Sequence, residues 1–141
     1  MPGYLLDANV FIALAWPEHF AHARASQWFG RHARQGWATC PMTQAALVRV
    51  LSNPAFSPHS LTPSGALLVL KRNVELPGHQ FWNDSLQLGE ALDRIPTPLT
   101  GHQQITDAYL IALAMHNRGK LATLDRGIPR FAPAGSVELI G

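Results

Sequence analysis

Ile105-Thr-Asp-Ala-Tyr-Leu-Ile-Ala-Leu-Ala-Met-His-Asn-Arg-Gly-Lys-Leu-Ala-Thr-Leu-Asp125 reads as a helix, a stop and a short buried strand, with a carboxylate towards each end. Ile105, Ala108, Tyr109, Ala112 and Met115 recur at helical spacing and give one apolar face. Thr106 is the expected N-cap, which puts Asp107 in the first turn, where the helix dipole favours an anion. Gly119 is the expected left-handed stop. About 12 helical residues at ~1.5 Å span roughly 18 Å, and about 5 strand residues at ~3.3 Å span nearly as much. A strand running back along its helix therefore brings Asp107 and Asp125 to one edge. Two carboxylates held together need a proton or a cation between them. The plainer alternative is a helix-dipole charge and an ordinary turn aspartate before Arg126-Gly127.

Working outward, Tyr4-Leu5-Leu6 is an apolar strand ending at Asp7, and an apolar helix follows from Val10 to Trp16. If this strand lies parallel to 121–124, Asp7 reaches the same edge as Asp107 and Asp125. Further elements alternate: a helix over Phe20 to Arg34 with Ala21, Ala25, Trp28 and Phe29 apolar, and a strand over Trp37 to Cys40. A helix then opens at Thr43, with Gln44 in its first turn, and stops before Pro54. Thr62-Pro63 forms an N-cap and N1 pair for a helix to Asn73, with Leu67, Leu68 and Leu70 apolar. Gly78 to Asp84 reads as a turn and strand, Ser85 to Asp93 as a short helix, Arg94 to Gly101 and Arg126 to Gly135 as loops, and Val137 to Ile140 as an edge strand. This alternation predicts an α/β fold with a mostly parallel sheet and helices on both faces. Ligand sites of such folds lie beyond the strand carboxyl ends.

A chain of 141 residues that is 47% hydrophobic and only 14% charged supports one domain with a sizeable core. The net charge is +2, and nine of the eleven basic residues are arginine, the side chain suited to bidentate phosphate contacts. Cys40 is the single cysteine, so no intramolecular disulfide forms, which suits a cytoplasmic setting. The apolar run Val10 to Trp16 is too short to span a membrane, and no basic region precedes it to suggest a signal peptide. His19 and His22 stand one helical turn apart, without the Cys or Glu company of a zinc site.

Asp7, Asp107 and Asp125 thus form an all-oxygen set, which selects a hard cation, Mg²⁺ or Mn²⁺, over zinc. Such a cation beside arginines suits phosphodiester hydrolysis. No Gly-rich phosphate loop and no G-x-S-x-G elbow supports a nucleotide kinase or a serine hydrolase.

Tyr4-Leu-Leu-Asp-Ala-Asn-Val-Phe-Ile-Ala-Leu14, Ala38-Thr-Cys-Pro-Met-Thr-Gln44, Val48-Arg-Val-Leu-Ser-Asn53, Phe81-Trp82, Gly101-His102, Thr106-Asp-Ala-Tyr-Leu110 and Leu121-Ala-Thr-Leu-Asp125 occur in this order over nearly the whole chain. Together they resemble the PIN-domain toxins of the VapC family. The resemblance implies a single PIN domain over 1–141, a three-layer sandwich. It further implies a magnesium-dependent endoribonuclease acting on tRNA, ribosomal RNA or mRNA, the toxin of a toxin–antitoxin pair. A homodimer and inhibition by a small VapB-type antitoxin follow from the same resemblance. By the family pattern Asp7, Asp107 and Asp125 are catalytic and metal-binding, with Asp7 and Asp107 the principal ligands. Thr123 matches a hydroxyl position near the metal, and Asn9 a small polar position beside the first aspartate. Gln44 stands where the family commonly has an acidic residue. Glutamine carries no charge and is no base, which leaves a second metal open. Asp84 is a candidate to restore the missing charge, against the plainer reading as a helix cap.

Two other functions fit parts of the pattern. A PIN-like dimer that has lost catalysis would only bind RNA or a partner, and Gln44 favours it. A phospho-acceptor receiver domain also gathers aspartates at strand ends, but needs a lysine following a late strand; Lys120 precedes its strand.

Overall fold

The computed structural model describes residues 3–141. Five short strands, β1 (Tyr4–Leu6), β2 (Trp37–Thr39), β3 (His79–Phe81), β4 (Lys120–Thr123) and β5 (Val137–Leu139), form one sheet in the order β3-β2-β1-β4-β5. Every pairing is parallel. Six helices connect them: α1 (Ala8–Ala15), α2 (His22–His32), α3 (Pro41–Leu51), α4 (Pro63–Asn73), α5 (Leu88–Leu92) and α6 (Ile105–His116). The chain leaves β1 towards β2 on one side and returns to β4 on the other. The carboxyl ends of β1 and β4 therefore flank the point where strand order reverses, the crevice in which open α/β sheets bind ligands.

Strand alternation separates two cores. Leu5, Ala38 and Leu121 face α6 and α5, packing with Leu110, Ile111, Leu113 and Ala91. Leu6, Trp37 and Ala122 face the opposite layer, with Phe11 of α1, Trp28 of α2, Leu47 of α3 and Leu70 of α4. The result is the expected three-layer sandwich.

Several local expectations shift. Ala108 through Ala114 are all buried, so α6 is enclosed on every side rather than apolar on one face. Thr106 is not its N-cap: a 3-10 turn over His102–Gln104 runs directly into α6, and Gln104 takes the cap position. Asp107 nevertheless stays in the first turn. At the other end the left-handed residue is Arg118 (φ 61), not Gly119. Gly119 N–H donates to Ala114 O at 2.8 Å, the long bond of a Schellman stop. Glycine is required at 119 for space: a Cβ there would collide with the Gly3 carbonyl oxygen and approach Trp82 Cη2 to 2.7 Å.

Helix α2 spans His22–His32 rather than Phe20 to Arg34, because a 3-10 turn over Ala33–Gln35 tightens its end and Phe20 remains outside, exposed. Helix α3 begins at Pro41, two residues before Thr43, whose Oγ1 accepts from Cys40 N–H at 3.0 Å and so secures the start. On α4, Ala66 and Leu70 face the core while Leu67 and Leu68 are exposed. Ala66 and Leu70 are the buried α4 residues that join this core. Helix α5 is shorter than Ser85 to Asp93. Strand β4 starts at Lys120 and ends at Thr123. A 3-10 turn over Ile128–Arg130 lies in the segment expected to be irregular. Among the described residues no helix is long and apolar enough to cross a membrane.

Candidate active site

Asp7 follows the last residue of β1 and caps α1. Its extended backbone (φ −60, ψ 153) lets Oδ1 accept from Ala8 N–H at 2.7 Å. Its own N–H donates to Ala122 O at 2.9 Å, which continues the β1–β4 ladder and sets the carboxylate against the end of β4. Oδ2 accepts from the Thr123 hydroxyl at 2.7 Å. Asp7 is 6% exposed. Burial raises its pKa, the Thr123 and Ala8 hydrogen bonds oppose that rise, and the charge of Asp125 adds to it.

The Thr123 hydroxyl uses its whole capacity of one donor and two acceptor positions. It donates to Asp7 and accepts from Asn9 Nδ2 at 3.3 Å and from Asp125 N–H at 3.1 Å. With no lone pair free, Thr123 orients Asp7 and the Asp125 turn. Asn9 closes the ring, its Oδ1 accepting from Leu124 N–H at 3.2 Å. Asp125 Oδ1 accepts from Gly127 N–H at 2.8 Å.

Asp107 has a different environment. Among the described residues no hydrogen bond reaches its side chain. Its pKa is pushed up to about 6, first by burial and then by the charges of Asp7 and Asp125. The structure thus brings the three expected aspartates into mutual electrostatic reach at the carboxyl edge of β1 and β4. It does not close them into a ready cage: among the described residues no three His, Cys, Asp or Glu side chains converge tightly enough to hold an ion unaided.

Gln44 lies elsewhere. Its Nε2 donates to Thr39 Oγ1 at 3.0 Å, and that oxygen is 2.7 Å from His79 Nε2. Thr39 shares the strand face of Trp37, on the α1–α4 side of the sheet, whereas Asp7 follows the alternation of Leu5 towards α6. The α3 residues that line the cleft with Asp7 are Met42, Thr43, Ala45, Ala46 and Arg49. Helical spacing puts Ala46 one turn beyond Thr43, on the side facing Asp7. Arg49 escaped the sequence reading, although its spacing from Met42 and Ala46 was a usable signal. Asp84 sits in a neighbouring cleft, and neither Asp7 nor Asp107 has its pKa raised by it. His19 and His22 do not converge on a ligand: His19 Nδ1 accepts from Ala21 N–H, and His22 Nδ1 lies 2.7 Å from Ala13 O.

Residues 4–133 match the PIN domain family. The chain belongs to the PIN domain family, among the VapC proteins. Ribonuclease VapC39 of Mycobacterium tuberculosis is 44% identical over 138 residues, covering 96% of this chain and 98% of that protein. Ribonuclease VapC38 of the same species is 40% identical over 139 residues, covering 96% of each. A chain from the crystal structure of VapBC2 from Rickettsia felis, bound to a DNA fragment from their promoter, superposes with a TM-score of 0.69. It covers 98% of both chains at 13% identity, a likeness of fold. The PIN match takes in every element from β1 to the 3-10 turn at Ile128–Arg130, and so contains all three aspartates.

Proposed function

We propose that this PIN-domain protein is the toxin of a toxin–antitoxin pair and acts as a metal-dependent endoribonuclease. The observation that carries the reading is Asp107, a half-buried carboxylate with no hydrogen-bond donor among the described residues, whose pKa is pushed up to about 6 first by burial and then by the charges of buried Asp7 and exposed Asp125. Such a set favours a hard divalent ion, Mg²⁺ or Mn²⁺. Mg²⁺ binds through one or two carboxylates while keeping several waters, which suits a site without a closed cage. Asp7 and Asp107 are the principal ligands in this reading, and Asp125 supports them from the turn after β4. The relatives named ribonucleases VapC39 and VapC38 supply the substrate class, RNA.

When bound, the ion supplies an activated water and screens the phosphate. The protein's own residues do the rest. Thr123 and Asn9 hold Asp7 in one orientation. Gly127 N–H holds Asp125. Arg49, whose guanidinium has no ion-pair partner among the described residues, lines the Asp7 cleft and in this reading would hold the scissile phosphate there. Gln44 braces α3 against β2 through Thr39. The partners are a VapB-type antitoxin, which blocks this cleft, and a second copy of the chain; the setting is the cytoplasm.

The test is cleavage of total RNA by the purified protein, with and without chelator. Cleavage abolished by EDTA, restored by Mg²⁺ or Mn²⁺ and absent in Asp7→Asn supports the reading. RNA left intact by a folded wild-type protein with either metal would instead favour a PIN-like module that binds RNA or a partner without cutting.

A further inference from the structure

The Asp7 cleft does not end at its α3 wall. Met42 and Thr106 line it and also line a second cleft of about 370 Å³ beside the start of α6, so the two are contiguous. That volume lies at the low end for small-molecule sites. The second cleft is walled by Leu86, Leu88 and Tyr109, and Asp84 stands at its wall. Leu88 is 51% exposed, an apolar surface that the described residues leave half uncovered.

We infer that this second cleft receives the unpaired base next to the scissile phosphate, and that Asp84 selects guanine. The inference rests on the ribonuclease reading and names the specificity site of that reaction. A largely apolar cleft with a carboxylate in its wall repels a phosphate, but accepts a flat neutral group that offers N–H donors. Sequence-specific RNA recognition targets unstacked bases in single-stranded loops, packed on side chains and read on their Watson–Crick edges.

An ionised carboxylate is acceptor-only, with two oxygens side by side. Guanine offers two adjacent donors on that edge, N1–H and the N2 amino group, and matches both oxygens. Adenine and cytosine offer one amino donor beside a ring acceptor, which the second oxygen repels. Uracil offers one N–H between two acceptors. Asp84 is free for this role: among the described residues no Lys, Arg or His forms an ion pair with it. The Tyr109 hydroxyl, also on the wall, donates instead to Leu86 O at 2.9 Å. In a duplex the Watson–Crick edge of guanine is occupied, so the cleft demands a loop or single strand.

The experiment uses synthetic RNA hairpins whose loop nucleotides are varied singly to G, A, C, U or inosine, which lacks only the N2 amino group. Wild type, Asp84→Asn and Asp84→Ala are compared. A good bidentate base contact discriminates by about tenfold or more. We expect kcat/KM to fall by that order when G beside the cut becomes A, C or U, and several-fold with inosine. Asp84→Ala should level G and inosine, and Asp84→Asn should weaken the preference for G. Unchanged melting curves show that the exposed substitutions leave the fold intact.

Binding of the same loops to Asp7→Asn, followed by fluorescence anisotropy, separates this inference from the reading beneath it. If no RNA is ever cut but G-loops bind best and lose that advantage on adding Asp84→Ala, the base cleft stands and the nuclease reading falls. The inference is overturned if wild type shows no base preference beside the cut, or if the preference survives Asp84→Ala. It is equally overturned if Leu88→Asp dissociates a dimer yet leaves base preference untouched, which would assign the cleft to a second copy.

Discussion

Replacing Asp107 with asparagine should stabilise the metal-free protein while destroying its activity. The carboxyl of Asp107 has its pKa raised from 3.8 to about 6. A raised pKa means the folded state favours the protonated form. This group's contribution to stability is therefore fully present below pH 3.8 and is lost as pH rises through about 6. At pH 7.5 the ionised form carries the full penalty, nominally about 3 kcal/mol. Asp107 is only half-buried, and solvent screening reduces this to ~1 kcal/mol. Asparagine keeps the shape and removes the charge, so the metal-free variant should melt about 3 °C above wild type at pH 7.5. The gap should close as pH falls from 6 to 4, where wild-type Asp107 becomes neutral. Saturating Mn²⁺ should raise the wild-type melting temperature and leave Asp107→Asn nearly unchanged. The assay is differential scanning fluorimetry in EDTA and in Mn²⁺ across that pH range. A metal-free Asp107→Asn protein that melts at or below wild type at pH 7.5 would refute the repulsion argument.

Adding a carboxylate tests the two faces of α3. Ala46→Glu, in the wall facing Asp7, should lower the Mg²⁺ concentration needed for half-maximal RNA cleavage. Gln44→Glu should leave it unchanged, because that side chain meets Thr39, whose hydroxyl in turn meets His79; a metal titration distinguishes them. Gln44→Ala removes one hydrogen bond and should cost about 1 kcal/mol in urea unfolding, with cleavage retained. At the end of α6, Arg118→Gly should stabilise by roughly 0.5–1 kcal/mol by relieving a left-handed arginine. Gly119→Ala should destabilise by at least ~2 kcal/mol, since the added methyl meets the Gly3 backbone and Trp82. The same urea curves read both.

The parts of this molecule legible in its sequence are those set by local pattern. Asp7, Asp107 and Asp125 could be placed at one edge because strand and helix lengths match and because β1 lies beside β4 in parallel register, Leu6 opposite Ala122. Thr62-Pro63 announced the start of α4 through its own chemistry, and the Thr62 hydroxyl accepts from Gly65 N–H at 3.0 Å. What periodicity could not show was rotation about helix axes. Leu67 and Leu68 looked like core, yet small Ala66 faces inward. Gln44 looked like a substitute for an acid because it follows Thr43 in sequence. A shift of one residue turns a side chain about 100° round a helix, enough to carry Gln44 from the Asp7 cleft to Thr39. The Thr123 hydroxyl ring depends on contacts across more than 110 positions of sequence, with Asp7 and Asn9, and only the fold reveals that its bonds are fully used. The stop at Arg118 was misassigned because glycine at 119 suggested backbone freedom, whereas the position demands a small residue.

The central claim is that the aspartates at the ends of β1 and β4 and the start of α6 bind a divalent ion. Electron paramagnetic resonance titration of Mn²⁺ measures this directly, since bound and free Mn²⁺ give distinct signals. We predict saturable Mn²⁺ binding to the wild-type chain, weakened by about tenfold or more in both Asp7→Asn and Asp107→Asn, with Gln44→Ala indistinguishable from wild type. Equal Mn²⁺ binding by wild type and both aspartate variants would contradict the account.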